Sequence, residues 1–221
     1  MPEPTKHDQP AGGEPLRLYT IRHGETEWSL SGRHTGRADI PLTAQGEVEA
    51  RQLEPYLQGI RFSAVMTSPR ERARQTCMLA GLGAGATIDQ DLSEWDYGDY
   101  EGQRSVDIRK ARPDWNIFRD GCPDGESPEE ISDRADRLIA RLRPLQGNIA
   151  LFSHGHFGLV LAARWIGLPV VQGQHFSLST GSLSVLSNDP RHPEVPVIAL
   201  WNFTPRRHSS QGQFEPRPGA V

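Results

Sequence analysis

Two short apolar runs, each breaking into a glycine turn that carries histidine, constrain this chain of 221 residues more than any other feature. Leu16 to Ile21 reads as a strand and passes into Arg22-His23-Gly24-Glu25-Thr26, and Asn148 to Ser153 reads as another and passes into His154-Gly155-His156. Runs this apolar suit strands buried on both faces, and open α/β sheets place their ligands at the ends of such strands. An arginine beside a histidine at that position points to an anion site with a nucleophile in it.

The rest of the chain alternates strand and helix patterns, as a sheet covered on both faces by helices requires. A polar loop runs to Pro41. A helix is expected from Thr43 to Leu57, with Val48, Leu53, Tyr56 and Leu57 on one face and a kink at Pro55. The strand Phe62 to Thr67 leads into Ser68-Pro69, where a serine cap and a proline in the first position predict a helix start. That helix carries Arg70, Arg72, Arg74 and Thr76 and stops near Gly81. Ser127-Pro128-Glu129-Glu130 matches a capping box, followed at helical spacing by Ile131, Ala135, Leu138, Ile139 and Leu142. Phe157 to Ile166 reads as a further helix, and Phe176 to Leu178, Leu183 to Leu186 and Val197 to Trp201 read as strands. The expected organisation is one domain over residues 16–204 between two disordered tails, 1–15 and 205–221, rich in Pro, Gly, Gln, Ser and charge.

A formal charge of -4, with no lysine- or arginine-rich block, argues against nucleic acid as a partner. No apolar run approaches the ~20 residues that span a bilayer, and the polar start has no export-signal pattern, so no membrane association is expected. Cys77 and Cys122 form no CxxC motif and read as two reduced thiols of a cytoplasmic protein. A homodimer is left open.

Two histidines at strand ends, arginines at helix starts and carboxylates in loops are the parts that phosphoryl transfer through a covalent histidine requires. A neutral imidazole attacks phosphorus in line, cationic donors surround the equatorial oxygens, and an acid protonates the departing alkoxide. His23 fits the first role, and Arg22 and Arg72 fit the second, because a guanidinium fork matches phosphate oxygens. Arg72 is preferred for its place in a first helical turn just after a strand, while Arg70 and Arg74 read as surface charges. Glu94 lies between aromatic residues in Leu92-Ser93-Glu94-Trp95-Asp96-Tyr97-Gly98, a setting that favours a protonated carboxyl group and hence a proton donor.

His154 has two readings: a further phosphate ligand, or a metal ligand with His156 and with Asp96 or Asp99. The metal reading ranks lower, since a third well-spaced ligand is missing and the nearby arginines would repel a divalent cation. The serine-hydrolase elbow G-x-S-x-G and both glycine-rich nucleotide-binding patterns are absent from the sequence.

These motifs resemble the histidine phosphatase superfamily, in the branch of cofactor-dependent phosphoglycerate mutases and their phosphatase relatives. Arg22 to Trp28, Thr35-Gly36, Pro41-Leu42-Thr43, Ser68-Pro69-x-x-Arg72-Ala73-x-x-Thr76, Glu94-x-x-Tyr97-Gly98, Gly125-Glu126-Ser127 and Ser153-His154-Gly155-His156 follow the family's order. The resemblance implies a three-layer αβα sandwich with a mostly parallel sheet, without metal or cofactor. It implies that His23 is phosphorylated, that Arg22, Arg72 and His154 bind the phosphoryl group, and that Glu94 donates the proton and later activates water. The partner expected is a small phosphorylated substrate, contacted by Ser29, Arg33, His34, Thr35, Tyr97, Arg119 and Gly155.

Within the family, Glu94 to Gly102 and Trp115 to Cys122 look most like acid and sugar-phosphate phosphatases, including the sedoheptulose-1,7-bisphosphatase type. A mutase would carry a basic insertion after the proton donor, where this chain has Asp96, Asp99 and Glu101. Ser29 stands where many members have Asn. Leu159 stands where an arginine commonly gives a second anionic anchor, which Arg33, His34 and Arg119 are placed to replace. The expected activity is therefore a metal-independent phosphomonoesterase, with a mutase and a catalytically idle phosphate-binding protein as alternatives.

Overall fold

A computed structural model describes residues 14–205, so the expected tails lie outside the described residues except for Glu14, Pro15 and Pro205. Glu14 is tied to the fold, its carbonyl accepting from Gly147 N–H at 2.8 Å. In chain order the elements are β1 Arg17–Arg22, α1 Glu27–Ser31, α2 Ala44–Leu57, β2 Phe62–Thr67, α3 Glu71–Leu79, β3 Thr87–Ile88, α4 Ser105–Ala111, α5 Ile117–Asp120, α6 Pro128–Leu142, β4 Asn148–Ser153, α7 Gly155–Trp165, β5 Leu183–Asn188 and β6 Pro196–Phe203. Single 3-10 turns occupy Gln90–Leu92, Gly98–Tyr100 and Val170–His175.

The six strands form one sheet in the order β3-β2-β4-β1-β5-β6, parallel except where β5 runs against both of its neighbours. Side-chain alternation divides the core between the two faces. In β4, Ile149 and Leu151 join the cluster built with Leu138 of α6 and Val160 of α7, while Ala150 and Phe152 join Leu53 and Leu57 of α2 and Cys77 of α3. Two helical layers therefore enclose the sheet, giving the expected αβα sandwich. The central register aligns Arg22 with Ser153 and Thr67 with Phe152, so the turns after β1, β2 and β4 leave the sheet at one edge.

Several elements depart from the sequence reading. In α2 the buried positions are Gly46, Ala50, Leu53 and Leu57, whereas Tyr56 is 47% exposed and meets Phe203 edge-on. Thr43 caps α2, which runs through Pro55 to end two residues later. The polar loop contains a short helix, α1, closed by a capping box in which Thr26 and Ser29 exchange side-chain and backbone bonds. Ser68 does not cap α3, which begins at Glu71 without a side-chain cap, because the serine hydroxyl is engaged by His154. Phe176 to Leu178 lies outside the sheet, after the last 3-10 turn.

Candidate active site

His23, Ser68 and His154 leave the common edge of the sheet on consecutive neighbouring strands, and His23 N–H donates to Ser153 O at 3.0 Å. The two imidazoles stand edge to face with centroids 5.2 Å apart. His23 Nδ1 lies 2.7 Å from the Gly24 carbonyl. A carbonyl only accepts, so Nδ1 carries the proton and Nε2 presents its lone pair. The turn that holds the ring is pressed against α2: a Cβ on Gly24 would sit 2.2 Å from Gly46 O, and a Cβ on Gly46 would sit 2.1 Å from Glu25 O. Gly24 N–H also donates to Thr76 Oγ1 of α3 at 3.0 Å.

Buried polar atoms normally have hydrogen-bond partners, yet Arg22 Nε, Arg70 Nε, Arg72 Nε and His154 Nδ1 have none among the described residues. Four unpartnered donor positions on side chains gathered around one imidazole form a place prepared for an anion. The His154 donor follows from its other side. Ser68 Oγ accepts from Arg70 N–H and, at 2.7 Å, can give its proton to His154 Nε2, leaving Nδ1 as the N–H. Arg70 is half-buried and its charge reaches His154, which corrects its reading as a surface charge; Arg74 is exposed as expected.

Arg72 departs from the expected two-pronged phosphate ligand. Its terminal nitrogens donate to Thr35 O, Gly36 O and Ala38 O at 2.7, 3.2 and 2.9 Å, so the fork holds the loop behind the site and Nε is left free. The same loop is held from its other side by Glu101, whose carboxylate accepts from Gly36, Arg37 and Ala38 N–H. Arg22 donates to Leu178 O. Burial, then the charges of Arg72 and Arg22, hold the His23 imidazole well below the usual histidine range, so it stays neutral. Burial and Arg72 act in the same direction on His154.

Glu94 is 8% exposed and is fixed by backbone donors at the start of α7 and beside itself. It accepts from Phe157 N–H at 2.8 Å, His156 N–H at 3.1 Å and Trp95 N–H at 2.9 Å. The loop beneath it hangs on buried Arg134 of α6, which donates to Asp91 O, Ser93 O and Glu94 O and to both carboxylate oxygens of Glu126.

Arg22, His23 and Glu94 open into a cavity of about 310 Å³. Ser29, Arg33, His34, Thr35, Tyr97 and Gly155 line it as expected, and Leu159 faces it too. Ser29 brings a hydroxyl already donating to Thr26 O, a consequence of its place in the α1 capping box. Arg119 is the residue the sequence misplaces. It lies on the outer side of the four-residue α5, bound to Asp120 and the Asp114 carbonyl. In its place come Arg109, Trp115 and Phe118, which the sequence reading did not single out as pocket residues. Arg109 sits four residues after Ser105, a hydroxyl 3.2 Å from His34 Nε2, and that spacing on one helix face is the signal that was available.

The acidic stretch does not face the cavity, which removes that argument against a mutase. Asp96 pairs with Arg37 at 2.5 Å, Glu101 serves the loop 36–38, and Asp99 is exposed. The metal reading of His154 with His156 also fails in its geometry. The strand ends at Ser153, His156 lies in α7 bound to Tyr97 OH at 2.7 Å, and no group of three metal-ligating side chains occurs among the described residues. Cys77 and Cys122 are buried and unpaired, and no described helix is long and apolar enough to cross a membrane.

Residues 18–204 match the family described as the histidine phosphatase superfamily, branch 1. The chain is 38% identical over 188 residues to an acid phosphatase of Mycobacterium tuberculosis, an alignment covering 83% of this chain and 92% of that protein. It is likewise 38% identical over 186 residues to the sedoheptulose 1,7-bisphosphatase of Saccharomyces cerevisiae, covering 70% and 69%. A solved structure of an open-reading-frame product from Mycobacterium tuberculosis superposes with a TM-score of 0.81 at 36% identity, over 86% of this chain and 99% of that one.

Proposed function

The chain belongs to the histidine phosphatase superfamily, and from that premise we propose that it hydrolyses small phosphorylated metabolites, sugar phosphates among them, through a phosphohistidine at His23. The observation that carries the reading is the set of unpartnered donor positions on Arg22, Arg70, Arg72 and His154 around a neutral imidazole whose Nε2 is free.

In the first step His23 Nε2 forms a bond to phosphorus as the P–O bond to the leaving group breaks. Arg22, Arg72 and His154 hold the equatorial oxygens as their charge develops. The departing alkoxide takes a proton from Glu94 and leaves as the alcohol. In the second step the Glu94 carboxylate removes a proton from water, the water oxygen bonds to phosphorus, and the P–N bond breaks to return neutral His23 and inorganic phosphate. Burial of the ring between two guanidinium groups supports the reading, because it keeps the nucleophile uncharged. The substrate contacts proposed are Arg33, His34, Thr35, Tyr97 and Gly155, all on the cavity wall.

The test is phosphate release from p-nitrophenyl phosphate and a panel of sugar phosphates, with a rapid quench to trap phosphorylated protein. Turnover and trapped phosphate that both vanish in His23→Ala are expected. Equal rates in wild type and His23→Ala would overturn the mechanism.

A further inference from the structure

Beyond the phosphoryl end, the cavity holds more positive charge than one phosphate engages. Glu94 is its single lining carboxylate, against three lining arginines, Arg22, Arg33 and Arg109. Neither Arg33 nor Arg109 has a carboxylate within 4.0 Å among the described residues, whereas nearby Arg37, Arg104 and Arg119 all do. Cations left uncompensated in a cleft focus their field on what enters it.

The two arginines flank one point. Arg33 adjoins His34, whose ring meets Ser105 at the start of α4, and Arg109 lies one turn further along that helix. The Arg109 charge is close enough to help push His34 down, to about 3, after burial and the neighbouring His156. His34 is thus a neutral surface stacked on Tyr97 at 4.6 Å, with Trp115 edge-on at 5.7 Å. Apolar side chains of Ile117, Phe118 and Leu159 separate this end from the phosphoryl end.

We propose that Arg33 and Arg109 form a second anion subsite, so that the favoured substrate is a small carbon skeleton carrying a second phosphate or a carboxylate besides the phosphate that is cleaved. This inference rests on the phosphatase reading and names the substrate class of that same site. The scissile phosphate occupies the His23 end, the carbon skeleton runs along the apolar wall, and the second anion meets the two guanidinium groups beside His34. The anchor expected from Arg119 is thereby supplied from α4.

The test compares kcat/KM within matched pairs. Fructose 1,6-bisphosphate is set against fructose 1-phosphate and fructose 6-phosphate, and 3-phosphoglycerate against glycerol 3-phosphate. The two-anion member is expected to win by about tenfold in at least one set, and the winning set identifies phosphate or carboxylate as the anion. Arg33→Gln and Arg109→Gln are each expected to lower that ratio about threefold or more, the scale of a partly exposed charge pair. Ratios within about twofold in both sets, or ratios that both variants leave unchanged, would overturn the subsite. His23-dependent hydrolysis of p-nitrophenyl phosphate, run alongside, separates the two failures: its loss defeats the phosphatase reading, and its presence with flat ratios defeats the subsite alone.

Discussion

Arg134 and Glu126 face each other with both carboxylate oxygens 2.7 Å from guanidinium nitrogens, and between them they hold both sides of the loop that carries Glu94. Arg134 binds the carbonyls of Asp91, Ser93 and Glu94, and Glu126 accepts from Asp96 N–H at 2.9 Å. Arg134→Met leaves Glu126 with one donor fewer and three carbonyls without a partner. Breaking a buried pair from one side costs about 3 kcal/mol, so the urea midpoint should fall by at least ~1 M. A midpoint unchanged from wild type would show that the pair contributes nothing.

Gly24→Ala should be more damaging than most glycine substitutions outside positive φ. The new methyl group would overlap the Gly46 carbonyl, which belongs to helix backbone and cannot rotate away. A destabilisation of about 2–4 kcal/mol is expected, together with loss of turnover as the His23 turn shifts. Calorimetry and the p-nitrophenyl phosphate assay read the two effects separately.

The pH profile of kcat/KM reports the free enzyme, in which His23 must be neutral to attack. Its folded pKa lies well below the ordinary histidine value, so lowering the pH through 6.5 protonates little of it and the acid limb falls at lower pH. Arg72 is the strongest charge acting on His23 after burial. Arg72→Gln removes that repulsion, the pKa rises, and the acid limb moves to higher pH, alongside a loss of about 10²-fold or more in rate. A limb that stays in place would show that burial alone sets the value.

Both thiols are pushed up to about 12, Cys77 by burial and Cys122 by burial with Asp96 and Glu101 nearby. Neither should react with a disulfide reagent in the native protein at pH 8, and both should react after denaturation. Rapid labelling of the native chain would contradict this packing.

The parts of the site that were legible in the sequence are those where the backbone dictates placement. β2 and β4 match the apolar runs residue for residue, and the capping box at Ser127 starts α6 where the pattern puts it. His23 and His154 follow, since each directly ends or succeeds a buried strand. The far wall was not legible in this way. Whether Arg109 or Arg119 faces inward depends on how α4 and α5, seven and four residues long, are rotated, and neither has enough length for a hydrophobic period to reveal it. Ser68 misled for a different reason: a serine before proline looks like a cap, and only the tertiary fold brings His154 to its hydroxyl.

The wall opposite the nucleophile has a simple ancestry in the chain. His23, Ser68 and His154 come from three separate strands and are fixed by the sheet, while Ser105, Arg109, Trp115, Ile117 and Phe118 belong to one uninterrupted stretch of residues. Glu101 anchors that stretch on one side, and Trp115 Nε1 bonds back to Gly121 O at 2.9 Å on the other. A lineage could therefore exchange the segment between these anchors as a cassette, retuning what the enzyme accepts while the machinery that breaks the phosphate ester is inherited intact.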